Sequence, residues 1–125
     1  MRASLSTIKT LMHNNVLEIK FLRRRPKPGA ALTRRMLCTG CLPLLNSPEG
    51  RIALNFRPAY NRPRYIPDAK NIAITWDLFM QDYRNINMNA CEVLAVIPAK
   101  DFWTFFNERG LGLMTATDKL RFMNT

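Results

Sequence analysis

The residues best equipped for chemistry in this chain are arginines. Arg23, Arg24, Arg25, Lys27, Arg34 and Arg35 fall in one short stretch with Glu18 as the nearest acid. Clustered cations at a turn suit phosphate contact, because each one that meets a phosphate releases counterions and ties affinity to salt. The plainer reading of such a run is a solvated face. A second group, Arg57, Tyr60, Arg62, Arg64 and Tyr65, with Phe56 ahead of it, interleaves guanidiniums with aromatic rings. Arginine forks hold phosphates while rings stack on unpaired bases, which suits single-stranded nucleic acid or RNA better than a duplex. Its plainer readings are a proline-pinned loop whose rings pack inward, and a segment that orders against a protein partner.

Other chemistries find less support. Cys38-Thr39-Gly40-Cys41 has the spacing of a zinc knuckle, but a tetrahedral ion needs four ligands. The chain adds only Cys91 and His13, each standing alone, so buried thiols are expected and no metal or cofactor is. Asp77 and Asp82 flank one turn, where an aspartate usually bonds its own backbone. With a single histidine and no phosphate-cradling glycine loop, no nucleophilic or acid-base set can be assembled, and enzymatic activity is not expected.

Charge distribution points the same way as the arginines. Residues 1–70 carry 14 Lys/Arg against 3 Asp/Glu, and residues 71–125 carry 5 against 6, so the net charge of +10 belongs to one half. One-sided positive charge repels itself unless a polyanion neutralises it, and nucleic acid is the leading partner. No apolar run approaches the length that crosses a bilayer, so no membrane partner is expected. Three cysteines, an odd number, with no secretory signal ahead of them predict a reducing, cytoplasmic setting. Residues 1–17 contain no acid and several Ser/Thr, as a mitochondrial presequence does. The favoured alternative is a short helix with Leu5, Ile8, Leu11 and Met12 on one face.

The elements that position these residues follow from periodicity. Val16–Leu22 alternates, with Leu17, Ile19 and Phe21 on one face and Glu18 and Lys20 on the other. Pro26, Pro28 and Gly29 break the ladder before a second strand over Leu32–Cys38, which makes a hairpin with a basic tip. Residues 43–70 hold five of the eight prolines and read as a long functional loop, with at most a short edge strand over Arg51–Arg57 in which Ile52, Leu54 and Phe56 alternate. Asn71–Leu78 alternates with Ile72, Ile74, Trp76 and Leu78 inward and Ala73, Thr75 and Asp77 outward. After the turn Phe79–Asp82, Tyr83–Met88 follows with Ile86 and Met88 inward, and then Glu92–Ile97, which completes a meander. Asp101 is placed to cap a helix bearing Phe102, Phe105 and Phe106; Gly110 stops it, and Thr115 with Asp118 forms a capping box for a last helix with Leu120 and Met123.

The expected fold class is therefore α+β, mainly β. It is a single domain over residues 1–125, with a five-stranded small barrel over about 15–97, a short N-terminal helix and one or two helices in a tail over 99–125. Val-Leu-Glu-Ile-Lys-Phe (16–21), Met36-x-Cys38-Thr39, Trp76-Asp77 and Tyr83-Arg84, taken in order, resemble the WYL-related, Sm-like small β-barrels encoded by tailed bacteriophages. The resemblance implies a Src-homology-3 or Sm type of barrel and places Arg84 on its binding surface. It implies a phage accessory or regulatory factor acting in the host cytoplasm. The function expected is non-enzymatic nucleic-acid binding. The rival is an adaptor or inhibitor that binds a host protein through the Arg/Tyr loop and the aromatic tail around Trp103.

Overall fold

The computed structural model describes residues 4–23, 28–29, 32–58, 72–87 and 91–124. Helix α1 spans Leu5–Asn14; the Ser4 side chain accepts from the Thr7 backbone N–H at 3.3 Å, and Ile8 and Met12, one turn apart, are buried. The chain passes directly into β1 (Asn15–Leu22), which pairs antiparallel with β2 (Thr33–Thr39) from Val16↔Thr39 to Leu22↔Thr33. Strands β3 (Ile72–Asp77), β4 (Asp82–Asn87) and β5 (Cys91–Pro98) follow. All pairings are antiparallel, and the order β4-β3-β2-β1-β5 makes a five-stranded open sheet, so the class is α+β. Among the described residues no pairing joins β4 to β5.

Both faces of this sheet are covered, and that changes the burial pattern expected from one-sided alternation. Beneath α1 lie Leu17, Ile19, Met36, Cys38, Ala73, Ile86, Cys91 and Val93. On the other face Val16, Leu37, Trp76 and Ile97 meet Leu45, Leu54, Phe56, Phe102 and Met123. On β3 Ile72 and Trp76, and Leu78 just past it, are buried as expected; Ala73, Thr75 and Asp77, expected outward, are buried as well, and Ile74, expected inward, is 40% exposed. Thr75 bears this burial because its hydroxyl donates to the Thr39 carbonyl at 3.0 Å. On β5 the register jumps from Glu18↔Ala95 to Ile19↔Val93, leaving Leu94 as an extra residue. That bulge switches the buried series from the Cys91/Val93 face to the Ala95/Ile97 face.

The stretch after β2 is the largest departure from expectation. Residues 42–53 are two short helices, α2 (Leu42–Leu45) and α3 (Pro48–Ala53), where a loop with an edge strand was expected. Pro43 and Pro48 sit in first turns, where a missing N–H costs nothing, and the Ser47 hydroxyl accepts from the Gly50 N–H at 3.0 Å. Ile52 is exposed while Leu54 and Phe56 are buried; Phe56 meets Trp76 edge-on at 5.1 Å, and Trp76 Nε1 donates to the Leu54 carbonyl at 3.3 Å. Phe56 is thus core and no stacking platform. Residues 59–71 lie outside the described residues, as does Met88.

The C-terminal tail is helical as expected. A 3₁₀ turn over Ala99–Asp101 leads into α4 (Phe102–Glu108), and the Asp101 side chain makes no capping bond, against expectation. Phe102 is buried, and Trp103, Phe105 and Phe106 are half-buried around it, with Trp103 edge-on to Phe102 at 5.0 Å. Gly110 takes a left-handed φ of 62° that favours glycine. Helix α5 (Ala116–Met123) opens on the expected capping box, Thr115 and Asp118 exchanging bonds of 3.1 Å each way. Among the described residues no helix is long and apolar enough to cross a membrane.

Candidate nucleic-acid interface

The site is built around Asp77, at the end of β3. Its carboxylate is fully buried, and Oδ1 accepts the backbone N–H groups of Phe79 at 3.0 Å and Met80 at 3.1 Å, which shapes the β3–β4 turn. Oδ2 faces the arginines: Arg34 Nη2 donates to it at 2.6 Å, and Arg84 Nε lies 3.8 Å away. Strand register brings Arg84, while Arg34 lies four residues from Cys38, the residue opposite Asp77 on β2, and reaches the carboxylate with its long side chain. Arg34 is the second residue of β2, and Arg84 lies opposite Thr75, two residues before Asp77 on β3.

Arg23 completes the group. Its backbone N–H donates to the Leu32 carbonyl at 2.9 Å, which extends the β1–β2 hairpin by one rung. Its guanidinium is close enough to that of Arg34 to repel it, and Nη2 donates to the Asn124 side-chain oxygen at 2.5 Å. Burial holds the pKa of Arg34 below its ordinary value; Asp77 opposes that shift, and the charges of Arg84 and Arg23 add to it. Two guanidiniums, those of Arg34 and Arg84, thus share one carboxylate, and a third, that of Arg23, stands beside Arg34 with the Asn124 amide as its partner. The buried Nε atoms of Arg23 and Arg84 find no hydrogen-bond acceptor among the described residues. A second Arg34 contact, Nη2 to the Met123 thioether at 3.2 Å, is to a weak acceptor.

The remaining candidate residues are dispersed or outside the described set. Arg35 points to the opposite face from Arg34, as neighbours on a strand must. There it pairs closely with Glu18, its guanidinium 4.4 Å from the Phe122 ring centroid. The expected hairpin cations therefore do not form one face at Arg34 and Arg35. Arg57 is exposed, past α3. Arg24, Arg25, Lys27, Tyr60, Arg62, Arg64 and Tyr65 lie outside the described residues. Sequence reasoning had Asp77 only as a turn residue, placed Met123 on the last helix with Leu120 but gave it no part in the site, and did not single out Asn124. The contacts from Arg34 and Arg23 to those two residues span 89 and 101 positions, and no local pattern signals such pairs.

The cysteines are placed by the two-faced sheet. Cys38 and Cys91 share the core beneath α1, whereas Cys41 belongs to the opposite core, so the two-residue spacing does not bring Cys38 and Cys41 together. Burial pushes the Cys38 thiol up to about 12 and that of Cys91 up to about 11. Among the described residues no group of three or more His, Cys, Asp or Glu side chains is arranged to hold a metal ion. Compared with known proteins, the chain matches no family model, no curated protein and no solved structure.

Proposed function

We propose that this chain is a non-enzymatic nucleic-acid-binding protein that holds backbone phosphates at Arg23, Arg34 and Arg84. The observation that carries this reading is the charge imbalance around Asp77: Arg34 and Arg84 share its carboxylate, Arg23 adds a third positive charge beside Arg34, and the buried Nε donors of Arg23 and Arg84 have no acceptor among the described residues. A phosphate brings several charged acceptor oxygens, and charge-assisted bonds from guanidinium to phosphate are about twice as strong as neutral ones. The basic tip at Arg24, Arg25 and Lys27 extends the same hairpin in sequence, and Tyr60, Arg62, Arg64 and Tyr65 supply the preference for single strands or RNA. We assign the fold to the small-barrel type of the WYL-related, Sm-like phage proteins, on the quoted motifs and on β1 being paired to both β2 and β5. The setting that goes with this assignment is host-cell cytoplasm, with an accessory or regulatory role.

The test is a salt titration of binding to single- and double-stranded DNA and RNA by the native chain and by Arg23→Glu and Arg84→Glu. Affinity for single strands should fall steeply with salt and drop at least about tenfold in each variant. Binding that survives high salt or either reversal overturns the reading. The rival, an adaptor for a host protein, is favoured by one feature on the far face. A cavity of about 370 Å³ lies between the sheet and the C-terminal helices, lined by Leu37, Ile97, Phe105, Met114 and Phe122 with Arg109.

A further inference from the structure

The last two residues of α5 and the Asn124 that caps it sit on the arginines in succession. Phe122 packs under Arg35, the Met123 thioether meets Arg34 Nη2 at 3.2 Å, and the Asn124 oxygen accepts from Arg23 Nη2 at 2.5 Å. We propose that Met123 and Asn124 are a displaceable cover over the arginine site, holding places that phosphate oxygens take when a nucleic-acid strand binds. This rests on the phosphate-binding reading and adds its regulation.

The acceptors on these arginines are unequal. Asp77 is charged, fully buried and held by two backbone N–H groups, so it stays. A thioether is a weak acceptor and an amide oxygen an uncharged one, so both yield to a charged phosphate oxygen. Met123 is buried, so its thioether leaves Arg34 by a change of rotamer within the core, which its three torsions allow; Asn124 is exposed just beyond the last turn of the helix, where its Nδ2 donates to the Leu120 carbonyl at 2.9 Å and its oxygen can turn away from Arg23. Helix α5 can remain in place meanwhile, pinned at its start by the Thr115–Asp118 box and near its end by Phe122, whose ring packs edge-on to Phe79 at 4.9 Å. Because Arg34 is only 11% exposed beneath this cover, the closed arrangement competes with ligand, and apparent affinity is scaled by the open fraction.

The experiment measures binding of a short fluorescent oligouridylate at low salt, together with the Met123 methyl signal by NMR. Asn124→Ala is the discriminating variant, since it removes an acceptor from Arg23 without altering charge. It should tighten binding about threefold. Met123→Leu, which keeps the buried volume and removes the sulfur, should tighten it as well. Asn124→Asp should weaken binding about tenfold by giving Arg23 a competing carboxylate. The Met123 methyl of the native protein should move on addition of the oligomer. If Asn124→Ala and Met123→Leu bind like the native protein and the methyl does not move, while Arg84→Glu abolishes binding, the cover is refuted and the phosphate site stands. Unchanged binding in Arg84→Glu overturns both.

Discussion

At Asp77 a single carboxylate has to satisfy two turn amides and offset the charges of Arg34 and Arg84, with no exposure to solvent. Removing it strands a guanidinium that is itself largely buried, and breaking a buried pair from one side costs about 3–5 kcal/mol. Against a typical total of about 5–15 kcal/mol, Asp77→Ala should leave the protein marginal. Urea unfolding would show the loss as a lower midpoint. Asp77→Asn should recover part of it, since Oδ1 can still accept from Phe79 and Met80 while Arg34 loses its charged partner. The buried thiols give a second expectation, with a sign fixed by their raised pKa values. Cys38 and Cys91 stay protonated in the folded chain up to about 12 and about 11, whereas in the unfolded chain they ionise near 9.0. Below that pH they contribute no pH dependence; above it only the unfolded state loses protons, so stability should fall as pH rises through this window. A stability-against-pH series run with Cys38→Ser and Cys91→Ala controls checks it; a flat profile above pH 9 would contradict the assignment.

Among the elements, the helix pair α2–α3 depends on one glycine. A Cβ on Gly50 would lie 2.7 Å from the Leu45 carbonyl oxygen and closer still to that of Leu44, both backbone atoms that cannot swing aside. Gly50→Ala should therefore push α3 off α2 and loosen Leu54 and Phe56 from Trp76, at a cost of about 1–3 kcal/mol. Quenching or a red shift of the tryptophan emission would report the change; unchanged emission and stability would refute it. This pair was also what the sequence concealed. Ile52, Leu54 and Phe56 alternate as strand residues do, but α3 ends at Ala53 and Asn55 takes a left-handed φ of 52°, so a helix end and a turn produce the same spacing. The five strands, α1 and the Thr115 capping box were legible because each carries its signal locally, in a period of two, a helical face or a cap. The outward set on β3 was not, since a sheet covered on both sides buries successive residues, Ala73, Thr75 and Asp77 as well as Ile72 and Trp76, and so loses the alternation that assigns a side. The capping box bears on α5 in turn. Thr115→Ala should loosen this helix by about 1 kcal/mol, visible as faster amide exchange at Asp118 and Lys119.

For the molecule as a whole, net charge was the readable quantity and its placement was not. Arginine content named a class of partner, and Arg34 and Arg84 do meet at Asp77 with Arg23 beside Arg34, yet strand alternation puts Arg35 on the other face, where it pairs with Glu18. Geometry of that kind depends on strand pairings between residues far apart in sequence, which composition cannot report. The two levels make different demands on a salt titration. Arg34 and Arg84 with Asp77, and Arg23 beside them, leave two positive charges at the site. For a single strand, log affinity should fall against log salt with a slope of about −1.4 from these alone. The net +10 of the chain and the arginines of its basic half should steepen the slope beyond that value. Neutralising Arg84 to Gln should make the slope shallower by about 0.7, and neutralising Arg24 and Arg25 together by about 1.4 if the hairpin tip contacts the same strand. A native slope no steeper than −1.4, unchanged by the Arg24/Arg25 pair, would confine the interface to Asp77 and its arginines. A slope near zero would mean that phosphate neutralisation does not drive binding at all.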